Sequence, residues 1–251
     1  MKQLFRSFLH RLGFDLVRYA PTAAARAVRA NPKQKGSNLF KSLTLHEIDF
    51  MLDVGANVGQ FALHMYEIGY EGRIVSVEPV MAARERLLEA SVAESRWQIA
   101  ERCALGDRNG EIELHVAQDA KHSSVLTVLP QYLEVAPKAA AIATETVPLH
   151  TVNGCLRQYR GSARNPFLRI SVQGYEDRVL DGAEAVLPDI KGLHIEFSFL
   201  PLYQDQGLFD ELFAQIKGKG FSLYNLYPSF SDYRTGKILR AVGIFFREIP
   251  H

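Results

Sequence analysis

Two rhythms of apolar residues trade places along this chain. From residue 48 onward, contiguous runs such as "IDFMLDV", "RIVSVEP", "FLRISV" and "GLHIEFSF" read as strands covered on both faces. Between them the apolar positions fall at helical spacing. Val58, Phe61, Ala62, Met65 and Ile68 make one such stripe, closed by Gly69, and Val80, Ala83, Leu87 and Ala90 make another behind Pro79 in a first helical turn. Val179, Leu180, Ala183, Val186 and Leu187 form a further stripe, and Leu208, Phe209, Leu212, Phe213 and Ile216 form the last. "WQIAERCAL" predicts one more strand, "GEIELHVA" an alternating strand behind the turn "GDRNG", and "FSLYNLY" with "RAVGIFF" a closing hairpin. There is no internal repeat. Strands alternating with helices demand an α/β fold with a mainly parallel sheet, whose ligands bind beyond the carboxyl ends of the strands.

The N-terminus differs. In "MKQLFRSFLHRLGF", Leu4, Phe5, Phe8, Leu9 and Leu12 share one helical face and Lys2, Arg6 and His10 mark another. Arg6, His10 and Arg11 interrupt the apolar core a signal peptide needs. Docking on the chain's own domain is the expected use of this helix, and peripheral contact with an anionic membrane is the alternative. "APTAAARAVRANPKQKGS", broken by Pro21, Pro32 and Gly36, reads as a basic linker. Residues 1–47 are thus divided off as helix, linker and lead-in, and residues 48–251 as one domain.

Composition narrows the function classes. A net charge of +1 gives no field that calls for nucleic acid. Cys103 and Cys155, the two cysteines, have no metal-binding spacing and point to a reducing, cytoplasmic setting without a disulfide framework. No apolar run approaches the roughly 18 residues that span a bilayer. The oligomeric state is not encoded in any of these patterns.

The chemistry concentrates in "LDVGANVGQFA". Asp53 ends a strand, Gly55, Ala56, Asn57 and Gly59 form the turn, and a helix N-terminus faces whatever sits there. A P-loop is excluded because no Lys follows the glycines. A dinucleotide turn is disfavoured, since Asn57 and Gln60 stand where its second and third glycines belong. Asp53 would repel a phosphate and suits an ammonium group, while Glu78, at the end of the next strand beside Pro79, is placed to accept both hydroxyls of a ribose. A nucleoside with a cationic amino-acid tail, S-adenosylmethionine, satisfies all three demands.

In order, "LDVGANVGQFA", "VSVEP", "CALGDRNGEIEL", "HSSVL", "FLRISVQGYEDRVLDGAE", "HIEFSFLPLYQDQGLFDEL" and "AVGIFFRE" resemble the successive motifs of the FkbM family of S-adenosylmethionine-dependent methyltransferases, over roughly residues 48 to 248. The resemblance implies a Rossmann-like class I methyltransferase fold and methyl transfer to a hydroxyl on a sugar, glycolipid or polyketide-like acceptor. It also implies that Ala104 and Leu105 lie along the adenine with Asp107 near its amino group. Two positions depart from the family pattern: Ser171 stands for the aspartate of "K-I-D-V-x-G-x-E", and Asn153 for that of "T-L-D".

An alcohol acceptor benefits from a base, and Glu196, Glu176 and His194 are the candidates. His194 and Glu196 alternate onto one face of their strand, yet a strand-end acid also commonly caps a helix or pairs with an arginine. With Ser171 and Asn153 in place of acids, the site is expected to hold no metal. His122 is expected to be solvated, and Tyr203, Tyr224, Tyr227, Phe230 and Tyr233 to serve structure ahead of sugar stacking. Two other functions stay open: a noncatalytic cofactor-binding member and an NAD-dependent oxidoreductase.

Overall fold

Strand β1, Phe50–Val54, is buried along its whole length because sheet neighbours flank it and helices cover both its faces. Residues 38–248 are described in the computed structural model; the expected N-terminal helix and the basic linker lie outside them. Helix α1, Asn38–Leu45, leads in and buries Leu43 against the same core that holds Met51. After β1 come α2 (Gln60–Glu67), β2 (Arg73–Val77), α3 (Met81–Ser91) and β3 (Trp97–Ile99). Next come β4 (Ala104–Gly106), β5 (Gly110–Ala117), α4 (Pro130–Leu133), β6 (Ala141–Thr151) and α5 (Val152–Tyr159). The chain then runs through β7 (Pro166–Ile170), α6 (Glu176–Asp181), β8 (Gly192–Ser198), α7 (Phe209–Gly218), β9 (Phe221–Ser231) and β10 (Ile238–Arg247).

Seven strands form one sheet in the order β3-β2-β1-β7-β8-β10-β9. The first five are parallel, and β10 enters antiparallel between β8 and the edge strand β9. This is the expected Rossmann-like class I methyltransferase fold with its closing hairpin. Alternation along β1 divides the core. Phe50, Leu52 and Val54 face Leu180, Leu212 and Ile216, whereas Met51 faces Ala62, Met65 and Trp97 on the other side.

Two sequence expectations change. "WQIAERCAL" is not one strand: β3 stops where the Ala100 N–H donates to the Ser76 carbonyl, and β4 begins a second sheet of order β4-β6-β5. Between them Arg102 reaches the Pro79 carbonyl and Glu145 of β6, which pulls the chain out of the first sheet. The helix expected through Leu187 ends at Asp181, and the next residues turn around Gly182 and Pro188. Proline cannot donate a helical hydrogen bond, so Leu187 is buried, and Val186 partly buried, from a turn instead.

Candidate active site

The turn after β1 is shaped by close approach. Gly55 has φ +77°, and a Cβ there would lie 2.1 Å from the Ser171 carbonyl oxygen at the end of β7. Gly59, φ +89°, passes close to the Trp97 ring, 2.5 Å from where its Cβ would stand. Between them Asn57 adopts φ +51° and accepts the Val58 N–H at 2.7 Å. Its own N–H donates to Glu78 Oε2 at 2.7 Å, and Val80 N–H donates to Glu78 Oε1 at 2.8 Å. Glu78 therefore ties the ends of two adjacent strands together. Burial pushes its carboxyl up to about 7, against these backbone hydrogen bonds.

A cavity of about 370 Å³ opens over this turn and runs across the carboxyl ends of the parallel strands. Gly55, Ala56, Asn57, Glu78, Pro79, Ala104 and Leu105 are on its wall. Asp53, Gly59 and Asp107 are not. Asp53 is fully buried, accepting from Ser76 Oγ at 3.1 Å and from Arg169 Nη1 at 2.8 Å. Its carboxylate thus has a cation already, which corrects the reading of Asp53 as a free partner for an ammonium group. Gly59 serves helix–sheet packing, and Asp107 pairs with its neighbour Arg108 at 3.0 Å.

Of the three base candidates, Glu196 alone lines the cavity. Its Oε1 accepts Ser229 Oγ–H at 2.6 Å, and its Oε2 accepts from Gln173 Nε2 and Arg240 Nη1, both at 3.1 Å. Glu176 instead turns inward and caps its own loop, accepting the Val172 N–H at 3.0 Å and the Gly174 N–H at 2.8 Å. Burial, then the nearby Glu196, push its carboxyl up to about 7. His194 lies buried beneath Phe61 with Nε2 3.2 Å from Tyr227 Oη. Burial and the neighbouring Arg169 push the imidazole down to about 3, too weak a base for proton abstraction.

Around Arg240 lies a network that sequence reasoning missed. Arg240 donates to Gln173 Oε1 at 2.6 Å and to Tyr132 Oη at 3.0 Å. Since Tyr132 accepts from Arg240, its own proton points to His122 Nδ1 at 3.0 Å. That requires a neutral imidazole, in line with burial pushing His122 down to about 4. His122 is therefore buried, contrary to the expectation of a solvated loop residue. Tyr203 is buried too and donates to the His122 carbonyl at 2.9 Å. Tyr224 packs on His46 and Phe246, and Tyr233 is exposed, so the late aromatics form no common platform.

The sequence profile of the methyltransferase FkbM domain matches residues 53–223, more than half of the chain. The chain belongs to the FkbM methyltransferase family. S-adenosylmethionine is its cofactor. No curated protein matches the sequence. Among solved structures, the methyltransferase FkbM from Methylobacillus flagellatus KT aligns with 80% of this chain at 13% identity and a TM-score of 0.49. The alignment covers 44% of that protein, so this chain spans less than half its length. Sp1610 from Streptococcus pneumoniae, in complex with S-adenosyl-L-methionine, aligns over 84% of this chain and 74% of its own, with 11% identity and a TM-score of 0.45. Magnesium protoporphyrin IX methyltransferase from Synechocystis PCC 6803, with bound cofactor, aligns over 98% and 97%, with 10% identity and a TM-score of 0.43. At these scores the three carry no assignment of residues or substrate.

The two departures from the FkbM pattern separate in space. Ser171 lines the cavity, so its exchange does remove a charge from the site. Asn153 sits in α5, where its Oδ1 accepts the Val186 N–H at 3.2 Å, away from the cavity wall. The second substitution bears on packing of the loop after α6 and not on the acceptor mouth. Arg169, Gln173 and Arg240 also line the wall, and no local pattern marks them, because their partners lie on distant segments.

Proposed function

We propose that this FkbM methyltransferase transfers the methyl group to a hydroxyl oxygen of a sugar, glycolipid or polyketide-like acceptor. One observation carries the reading: a single cavity has Glu78 on its wall at β2 and Glu196 at β8, three strands away, roughly 14 Å at the usual strand spacing. Glu78 holds the ribose, the Gly55–Asn57 backbone flanks the methionine end, and Ala104 and Leu105 lie along the adenine. The cofactor supplies an activated sulfonium methyl. The protein's tasks are to align the acceptor oxygen with that methyl and to exclude water.

In this reading Ser171, Gln173 and Arg240 orient the acceptor through hydrogen bonds. Glu196, steadied by Arg240, takes the hydroxyl proton on the edge of its carboxylate that faces the cavity. Transfer proceeds without a divalent ion. In support, no three of His, Cys, Asp and Glu gather as a metal-ligand set among the described residues, and Ser171 offers a hydroxyl where the family pattern has a carboxylate. A neutral small molecule or glycan is favoured over nucleic acid by the near-zero net charge. Among the described residues no helix is long and apolar enough to cross a membrane.

A second reading, a cofactor-binding member without transfer activity, is favoured by the three hydrogen bonds that Glu196 already accepts across its two oxygens. Incubation with methyl-labelled cofactor and an extract of cell glycans and lipids separates the two. A labelled glycan or lipid is the expected product. Label in RNA or protein would overturn the acceptor class, and cofactor binding with no label in any fraction would favour the second reading.

A further inference from the structure

Asp53 and Arg169 leave the cavity with an open arginine edge where a free acid was expected. Asp53 is fully buried and has no atom on the cavity wall, whereas Arg169 lines it. Every hydrogen bond of Arg169 leaves from Nη1, to Asp53 Oδ1 at 2.8 Å and to the Gly55 carbonyl at 2.9 Å. Its Nε is buried and has no partner. The guanidinium is held over the Phe61 ring, 5.2 Å from its centroid, and is flanked in register by Asp53 on one strand and His194 on the other. A guanidinium fixed in this way at one nitrogen presents its remaining N–H donors as a planar fork, the geometry that binds a carboxylate bidentately.

We infer that Arg169 anchors the carboxylate of the cofactor's methionine end, with Asp53 as its buried counter-ion and orienting group. The inference rests on S-adenosylmethionine as cofactor. The Gly55 carbonyl that Arg169 also holds belongs to the turn beside which the amino-acid tail lies, so one side chain sets both the turn and the tail. The donor set fits: Arg169 lines the cavity with an unspent N–H at Nε, and Asp53 engages it through Nη1 alone, which leaves the other nitrogens without a competing acid. His194, neutral and on the far side of Arg169, does not repel the incoming anion or the guanidinium.

Three nucleosides test this by calorimetric binding to the full chain: S-adenosylhomocysteine, its decarboxylated analogue, which keeps the amine, and methylthioadenosine, which has neither. S-adenosylhomocysteine is expected to bind at least about tenfold more tightly than the decarboxylated analogue, the loss of one charge-assisted pair. Equal binding of these two would overturn the inference. In Arg169→Met, affinity for S-adenosylhomocysteine is expected to fall to that of the decarboxylated analogue while methylthioadenosine binds as before. Discrimination that survives the substitution would also overturn it. Should the single variant not fold, Asp53→Asn/Arg169→Met removes both buried charges and carries the same comparison. Failure of all three ligands to bind the unmodified protein would overturn the cofactor reading, and this inference with it.

Discussion

Arg169 Nη1 and Asp53 Oδ1 lie 2.8 Å apart on directly opposed residues of two neighbouring parallel strands. Both side chains are largely or wholly removed from water, at 15% and 0% exposure, so the pair is held in the sheet with Arg169 at the cavity wall and Asp53 behind it. Removing one partner strands the other charge in the core. Asp53→Asn and Arg169→Met should each cost about 3–5 kcal/mol of unfolding free energy, whereas the double variant should cost less than the sum of the two. Chemical denaturation of the three variants measures this coupling, and strictly additive losses would show that the pair is not a unit.

If Glu78 holds the ribose, as proposed, cofactor binding should depend on pH. Its carboxyl is pushed up to about 7 by burial, and in the proposed role it would accept two ribose hydroxyls as the ionised form. Protonation removes an acceptor, so affinity for S-adenosylhomocysteine should fall as pH drops through about 7, by at most about tenfold per pH unit. Calorimetry between about pH 8.5 and 5.5 is the measurement. Glu78→Ala should bind at least about tenfold more weakly at the upper end and lose the slope. A slope that persists in Glu78→Ala would assign it to another group.

How legible the site was depends on how local its contacts are. The β1 turn and Glu78 were readable because glycine spacing and a strand-end acid are local signals, and the backbone hydrogen bonds of Glu78 to Asn57 and Val80 confirm that the two belong together. The second sheet was half hidden: β6 exposes most of its residues and buries only Val147 and Leu149, so no alternation marks it. Arg240 sits 44 residues beyond Glu196, and Arg169 lies 116 beyond Asp53. Only the pairing of strands far apart in sequence, antiparallel for β10 with β8 and parallel for β1 with β7, brings such residues into contact. His122 misled for the same reason, since the Tyr132 and Arg240 network that buries it assembles from three separate segments.

His194 should make the fold acid-labile. Its folded pKa of about 3 is depressed below the unfolded value of about 6.5, so its contribution is present above about pH 6.5 and is lost as pH falls toward 3. Glu78 and Glu176, both raised to about 7, act in the opposite sense: their contribution is full at low pH and is lost as pH rises toward 7. The two effects oppose each other in the raw profile. They separate in the difference between the unmodified protein and His194→Gln. That difference should be constant above about pH 7 and move against the unmodified protein by up to about 1.4 kcal/mol per pH unit below about 6.5. Denaturant titrations across this range test it, and a difference independent of pH would show that His194 protonates freely in the folded chain.

Glu196 is the place where structure and chemistry compete for one carboxylate. Arg240, Gln173 and Ser229 all bind it, so its loss leaves a buried guanidinium without its anion and, in the proposed role, an acceptor without its base. Glu196→Gln separates these roles because the amide keeps an oxygen for Arg240 and loses the ability to take a proton. If Glu196 is the base, labelled-methyl transfer should fall by about 100 to 10,000-fold while the affinity for S-adenosylhomocysteine stays within about twofold. If it only neutralises Arg240, stability should fall with little change in the rate of the folded fraction. Chelator should leave the rate of the unmodified enzyme unchanged in either case. A rate abolished by chelator and restored by magnesium would place a metal in the reaction, and full activity in Glu196→Gln would take this glutamate out of the proton transfer.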